Sequence, residues 1–143
     1  MNIKEALKDL VILAVDDDPA MRLLISTLLR SAGATVLTAA DGAAGLAILA
    51  RYHPDLILMD LDMPVLSGMQ TARRARLQGF RGEIIAVSAN AVEFGYLLEA
   101  GINGRIFKSV ATERLVDEIA AWMSSAAGAH PQPPMKMAAG LQS

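Results

Sequence analysis

Short apolar runs without polar alternation constrain this chain more than any other feature. Residues 10–15 (LVILAV), 56–59 (LILM) and 84–87 (IIAV) are apolar at every position. A strand with one wet face alternates apolar and polar residues. A strand without alternation is buried on both faces, so its sheet must carry helices on both sides. Segments of helical character separate the runs. Asp18-Pro19 has the form of an N-cap followed by proline in the first turn, and Met21, Leu24, Ile25, Leu28 and Leu29 follow at helical spacing until Gly33. Residues 35–39 read as a short β-branched strand, 43–51 as a small-residue helix, 55–60 as a strand and 61–67 as a loop holding Pro64. Then come a helix over 68–78 with a basic face (Arg73, Arg74, Arg76) and a strand within 82–88. A short helix over 91–100, a strand over 105–107 and a helix over 111–123 complete the pattern. Such alternation predicts an α/β fold: a parallel sheet, doubly wound, with right-handed crossovers.

A chain of 143 residues accommodates one such domain. Its expected extent is 10–123. Residues 1–9 read as a short helical cap or extension, and 124–143, with three prolines and one charge, as a disordered tail or linker. The absence of cysteine excludes disulfides, zinc knuckles and thiol catalysis. A formal charge of -2 gives no electrostatic footprint for nucleic acid. The longest apolar run is the six residues 10–15, whereas a membrane span needs about 20. The N-terminus lacks the apolar core of a signal peptide. A cytoplasmic protein without membrane insertion is the expectation.

The polar residues fall in a telling place. Asp16, Asp17 and Asp18 follow the first apolar run, Asp60 ends the second, Ser88 ends the third, and Lys108 follows Ile106-Phe107. Each stands at the carboxyl end of a predicted strand. In an open parallel sheet those ends share one edge, where ligands bind. Carboxylates gathered there need a cation to stay ionised together. Oxygen donors without cysteine or clustered histidine suit Mg²⁺, or Mn²⁺, rather than zinc. A divalent ion beside a lysine and a hydroxyl is equipment for stabilising phosphoryl oxygens, and one carboxylate could itself be the nucleophile. His53 and His130 are given no role.

These residues resemble the receiver domain of two-component response regulators. The resemblance is carried by residues 15–22 (VDDDPAMR), by 53–64 (HPDLILMDLDMP) with Gly68, by 84–90, by Ala100-Gly101 and by Lys108. It implies a flavodoxin-like sheet of five parallel strands, order 2-1-3-4-5, with five helices. It also implies roles. Asp60 is the phosphoacceptor. Asp16, Asp17, Asp60 and the backbone carbonyl of Asp62 hold Mg²⁺. Lys108 and Ser88 stabilise the phosphoryl group, Asp62 and Asn90 tune its lifetime, and Arg105 occupies the switch position. The donor is a phosphohistidine on a sensor histidine kinase or a histidine phosphotransfer protein. Such a chain catalyses its own phosphorylation and dephosphorylation and turns over no external substrate. Without an output domain it acts on a downstream protein through the 88–122 face, with a homodimer also compatible and no direct contact to nucleic acid. Two alternatives stand beside this reading: a pseudo-receiver that only binds partners, and a haloacid-dehalogenase-type phosphatase using Asp60 and Asp62.

Three departures from the family pattern cluster on the 88–122 face. Ser109 stands where the family usually has a proline joined through a cis peptide. A cis bond before a non-proline residue costs about 2.5–4 kcal/mol, which favours a trans peptide and a differently placed lysine. Arg105 replaces the usual aromatic residue. A guanidinium is costly to bury unpaired, so Arg105 is expected at the surface, its head in water or paired with Glu93 or Glu99. The stretch from Ser88 to Gly101 is shorter than usual by about two residues.

Overall fold

The computed structural model describes residues 5–127. Five strands and five helices alternate: β1 Val11–Val15, α1 Pro19–Ser31, β2 Thr35–Ala39, α2 Gly42–Leu49, β3 Leu56–Asp60, α3 Gly68–Leu77, β4 Glu83–Ser88, α4 Phe94–Glu99, β5 Gly104–Phe107 and α5 Lys108–Ala127. All strand pairs are parallel, and the order is β2-β1-β3-β4-β5.

The period of two along each strand sorts its side chains into two cores. Ile12 and Ala14 of β1, Leu56 and Leu58 of β3, and Ile85 and Val87 of β4 meet Ile25 and Leu29 of α1 and Leu115 and Ile119 of α5. The intervening Leu13, Val15, Ile57, Met59, Ile84 and Ala86 meet Ala72 and Ala75 of α3 and Leu97 of α4. Every residue of β3 is buried, as its unbroken apolar sequence requires. The turn before β1 belongs to the first core: Leu7 is fully buried, and its N–H donates to the Ala32 carbonyl.

Helix starts follow their caps. Asp18 accepts from the Ala20 N–H with Pro19 in the first turn, Asp41 accepts from the Ala44 N–H, and Ser67 forms a capping box with Gln70. Gly33, with φ of 100°, closes α1.

Two helices differ from expectation. α4 is six residues long, not ten, and has no side-chain cap. α5 starts at Lys108 rather than at residue 111, so the lysine opens a helix instead of closing a strand. β5 recruits Gly104, where a Cβ would sit 3.0 Å from the Trp122 ring. α5 also takes in residues 124–127, which the sequence assigned to the tail; the rest of that segment, and residues 1–4, lie outside the described residues.

Candidate functional site

Strand register assembles the site. Val15 is paired with Met59, so the next residue of each strand, Asp16 and Asp60, emerges side by side at the carboxyl edge. Both are 2% exposed, while Asp17 is exposed beside them. Carboxylate oxygens of Asp16, Asp17 and Asp60 all lie within 4.8 Å of one another.

The local backbone fixes their aim. Asp16 Oδ1 accepts from the Asp18 N–H at 2.9 Å, and Asp60 Oδ1 accepts from the Asp62 N–H at 3.2 Å. Arg22 Nη1 donates to the Asp16 carbonyl at 2.7 Å and secures the end of β1. Gly68 lets α3 rest on β3: a Cβ there would lie 2.2 Å from the Asp60 carbonyl oxygen. The Gly68 N–H donates to the Leu61 carbonyl at 3.1 Å.

Lys108 enters from the first turn of α5. Its Nζ lies 3.2 Å from Asp60 Oδ1 and 3.8 Å from Asp16 Oδ2. Burial, reinforced by the Asp16 charge, pushes the Asp60 carboxyl up to about 6. Burial raises Asp16 as well. For Lys108 burial works to lower the value, but the facing carboxylates outweigh it and the ammonium is held above its ordinary range. One ammonium faces three carboxyl groups. Asp16 Oδ2 and Asp60 Oδ2 are buried with no hydrogen-bond partner. A surplus of hard, unsatisfied oxygen donors fits a divalent cation.

The remaining expected residues lie around this cluster. Ser88 is 1% exposed at the end of β4. Its hydroxyl donates to the Asn90 carbonyl at 2.8 Å and accepts from the Asn90 N–H at 3.1 Å. It is thus committed to its own loop rather than to the carboxylates. Asp62 and Asn90 are exposed. The structure therefore brings together Asp16, Asp17, Asp60 and Lys108. Arg105 is half-buried, and neither Glu93 nor Glu99 pairs with it. Its Nη1 donates to the Val92 carbonyl, and its guanidinium lies over the Phe107 ring, 5.0 Å from the centroid. The peptide between Lys108 and Ser109 is trans, as no cis peptide occurs among the described residues. Arg22 and Gly68 belong to the motifs that carry the resemblance, which implies a role for neither. The clue to Arg22 was its place one helical turn beyond the Asp18 cap.

Residues 12–120 match the response regulator receiver domain. The chain belongs to this family. Among curated relatives, the sensor histidine kinase RcsC of Escherichia coli is 38% identical over 104 residues, 71% of this chain and 11% of the kinase. The sensor histidine kinase GacS of Pseudomonas protegens is 34% identical over 118 residues, 78% of this chain and 13% of the kinase. The receiver thus spans a small part of those relatives. A solved receiver domain of a Pseudomonas aeruginosa sensor histidine kinase, with a magnesium ion coordinated in its active-site cleft, is 35% identical. It superposes with a TM-score of 0.73 over 81% of this chain and 98% of its own. The Vibrio cholerae chemotaxis protein CheY4 gives 0.74 at 29% identity, over 77% and 95%. The receiver family operates in two-component and phosphorelay signalling, and the acidic pocket of this receiver is consistent with a phosphoacceptor site. No helix among the described residues is long and apolar enough to cross a membrane.

Proposed function

We propose that Asp60 accepts a phosphoryl group from a phosphohistidine, and that the chain serves as a phosphoacceptor in two-component or phosphorelay signalling. The observation that carries this is the charge imbalance at the strand ends. Two buried carboxylate oxygens, one on Asp16 and one on Asp60, lack hydrogen-bond partners and face a single lysine.

A carboxylate oxygen of Asp60 attacks phosphorus, forming an O–P bond. The P–N bond of the donor breaks, and its electron pair stays on the imidazole. Lys108, already within reach of Asp60 Oδ1, neutralises phosphoryl oxygen charge as it develops. Asp16, Asp17, Asp60 and the main-chain carbonyl of Asp62 would hold Mg²⁺, with Mn²⁺ a substitute. The ion supplies charge neutralisation for the carboxylates and the phosphoryl oxygens. Ser88 turns its hydroxyl from Asn90 toward the phosphoryl group, and Asp62 and Asn90 govern the access of hydrolytic water. The donor is a sensor histidine kinase or a histidine phosphotransfer protein, in the cytoplasm, and the 88–122 face carries the signal to a downstream protein.

Incubation with acetyl phosphate and Mg²⁺ tests the assignment by intact mass. One added phosphoryl group is expected, absent from Asp60→Asn and absent in excess chelator. Full modification of Asp60→Asn refutes the site, and modification unaffected by chelator refutes the metal. A wild-type chain that gains no mass leaves the partner-binding pseudo-receiver as the reading.

A further inference from the structure

β4 ends at Ser88 and α4 begins at Phe94, and residues 89–93 between them form neither helix nor strand. The short α4 has no side-chain cap, so its first turn offers the loop little anchorage. Two side chains grip the main chain of this loop. At one end, Ser88 Oγ engages both the N–H and the carbonyl of Asn90. At the other, Arg105 Nη1 donates to the carbonyl of Val92, next to the N-cap residue Glu93.

Strand register explains how Arg105 reaches it. On β5, Arg105 lies beside Ala86 of β4, and Phe107 lies beside Ser88. Ile106 between them packs into the α1–α5 core. Arg105 and Phe107 therefore project to the opposite face, which they share with Ala86 and Ser88. There the guanidinium stacks on the Phe107 ring, and the next residue is Lys108. One side chain thus ties the far end of the Ser88 loop to the strand that delivers the lysine.

We propose that Arg105 is a latch: it holds the β4–α4 loop in the arrangement that spends the Ser88 hydroxyl on Asn90, and so opposes the phosphorylated arrangement of the site. The inference rests on the roles given above to Asp60 and Ser88. A hydroxyl has one proton to donate. Giving it to a phosphoryl oxygen breaks the bond to the Asn90 carbonyl and releases that end of the loop. The charge-assisted bond from Arg105 to the Val92 carbonyl, two residues on, resists the shift. Arg105 touches neither Asp60 nor the reacting atoms, so it is a positioning residue. An interaction present only in the resting arrangement lowers the apparent affinity of any ligand that selects the other arrangement.

The test uses the full chain with Mg²⁺ and beryllofluoride as the phosphoryl probe, alongside hydrogen exchange on the metal-free protein. Arg105→Ala should bind beryllofluoride about three- to tenfold more tightly than wild type. Amides of residues 89–93 should exchange faster in this variant, with those of β1 and β3 unchanged. Arg105→Lys keeps a donor but loses the planar fork, and should fall between the two. A merely structural arginine would weaken probe binding on removal, not strengthen it. Unchanged exchange at 89–93 in Arg105→Ala overturns the latch. Faster exchange with equal or weaker probe binding overturns its opposition to the phosphorylated arrangement. A wild-type chain that binds no beryllofluoride refutes the Asp60 assignment instead, and the exchange arm, which needs no ligand, still decides whether Arg105 holds the loop.

Discussion

Burial and the nearby Asp16 push the Asp60 carboxyl up to about 6 from an ordinary 3.8, and that displacement links stability to pH. Between those values the folded chain binds more protons than the unfolded chain, so unfolding free energy falls as pH rises. Without Mg²⁺ the protein should gain about 1 kcal/mol on going from about pH 7 to about pH 5. Urea denaturation in chelator measures this, and Asp60→Asn should be more stable near neutrality with a flatter profile. Arg76 offers a second expectation at the same scale. The sequence presents it with Arg73 and Arg74 as one basic face, yet it turns inward, because helical spacing places it one turn beyond buried Ala72. Its guanidinium donates to the carbonyls of Phe80, Gly82 and Gly101 and to Asn103 Oδ1. A lysine has three donors on a point charge and cannot reproduce that fork. Arg76→Lys should cost about 2–4 kcal/mol in a denaturant titration.

At the scale of elements, Gly68 is the most exacting position. A methyl group there would meet the main chain of Asp60 and Leu61, so α3 or the end of β3 has to shift. Gly68→Ala should cost about 1–3 kcal/mol and slow phosphorylation by acetyl phosphate. A variant with unaltered stability and rate would show that α3 does not set the position of Asp60. Element boundaries were legible wherever a local signal exists. Asp18-Pro19 marks the start of α1, and β1, β3 and β4 carry unbroken apolar runs; the capping box of Ser67 and Gln70 at the start of α3 went unread. The start of α4 was not legible, because no side-chain cap marks it. Nor was the start of α5: its apolar helical spacing, Leu115, Ile119 and Trp122, shows only after the first turn, whereas the helix already runs from Lys108. The α5 residue Trp122 donates to Glu83 of β4 at 2.8 Å across a separation of 39 positions, a pairing invisible to local pattern.

For the whole molecule, the strand–helix alternation was enough to give layers and parallel pairing, and with them the shared edge that gathers Asp16, Asp60 and Lys108. What alternation could not give was the state of Ser88 or the partner of Arg105, since both depend on a loop without periodicity. The N-terminal turn is also more integral than a cap suggests, because Leu7 is fully buried in the α1–α5 core. A chain beginning at Leu10 should therefore lose about 2–5 kcal/mol, the scale of deleting one buried leucine. Thermal unfolding of the trimmed chain checks this, and an unchanged midpoint would contradict the packing of Leu7. The direct passage from β5 into α5 has a mechanical meaning as well. With no linker between Phe107 and Lys108, the residue that grips the carboxylates is also the root of a 20-residue rod, about 30 Å long. Leu115 and Ile119 seat that rod in the α1–α5 core, so the lysine reaches the carboxylates from a fixed footing rather than from a slack loop.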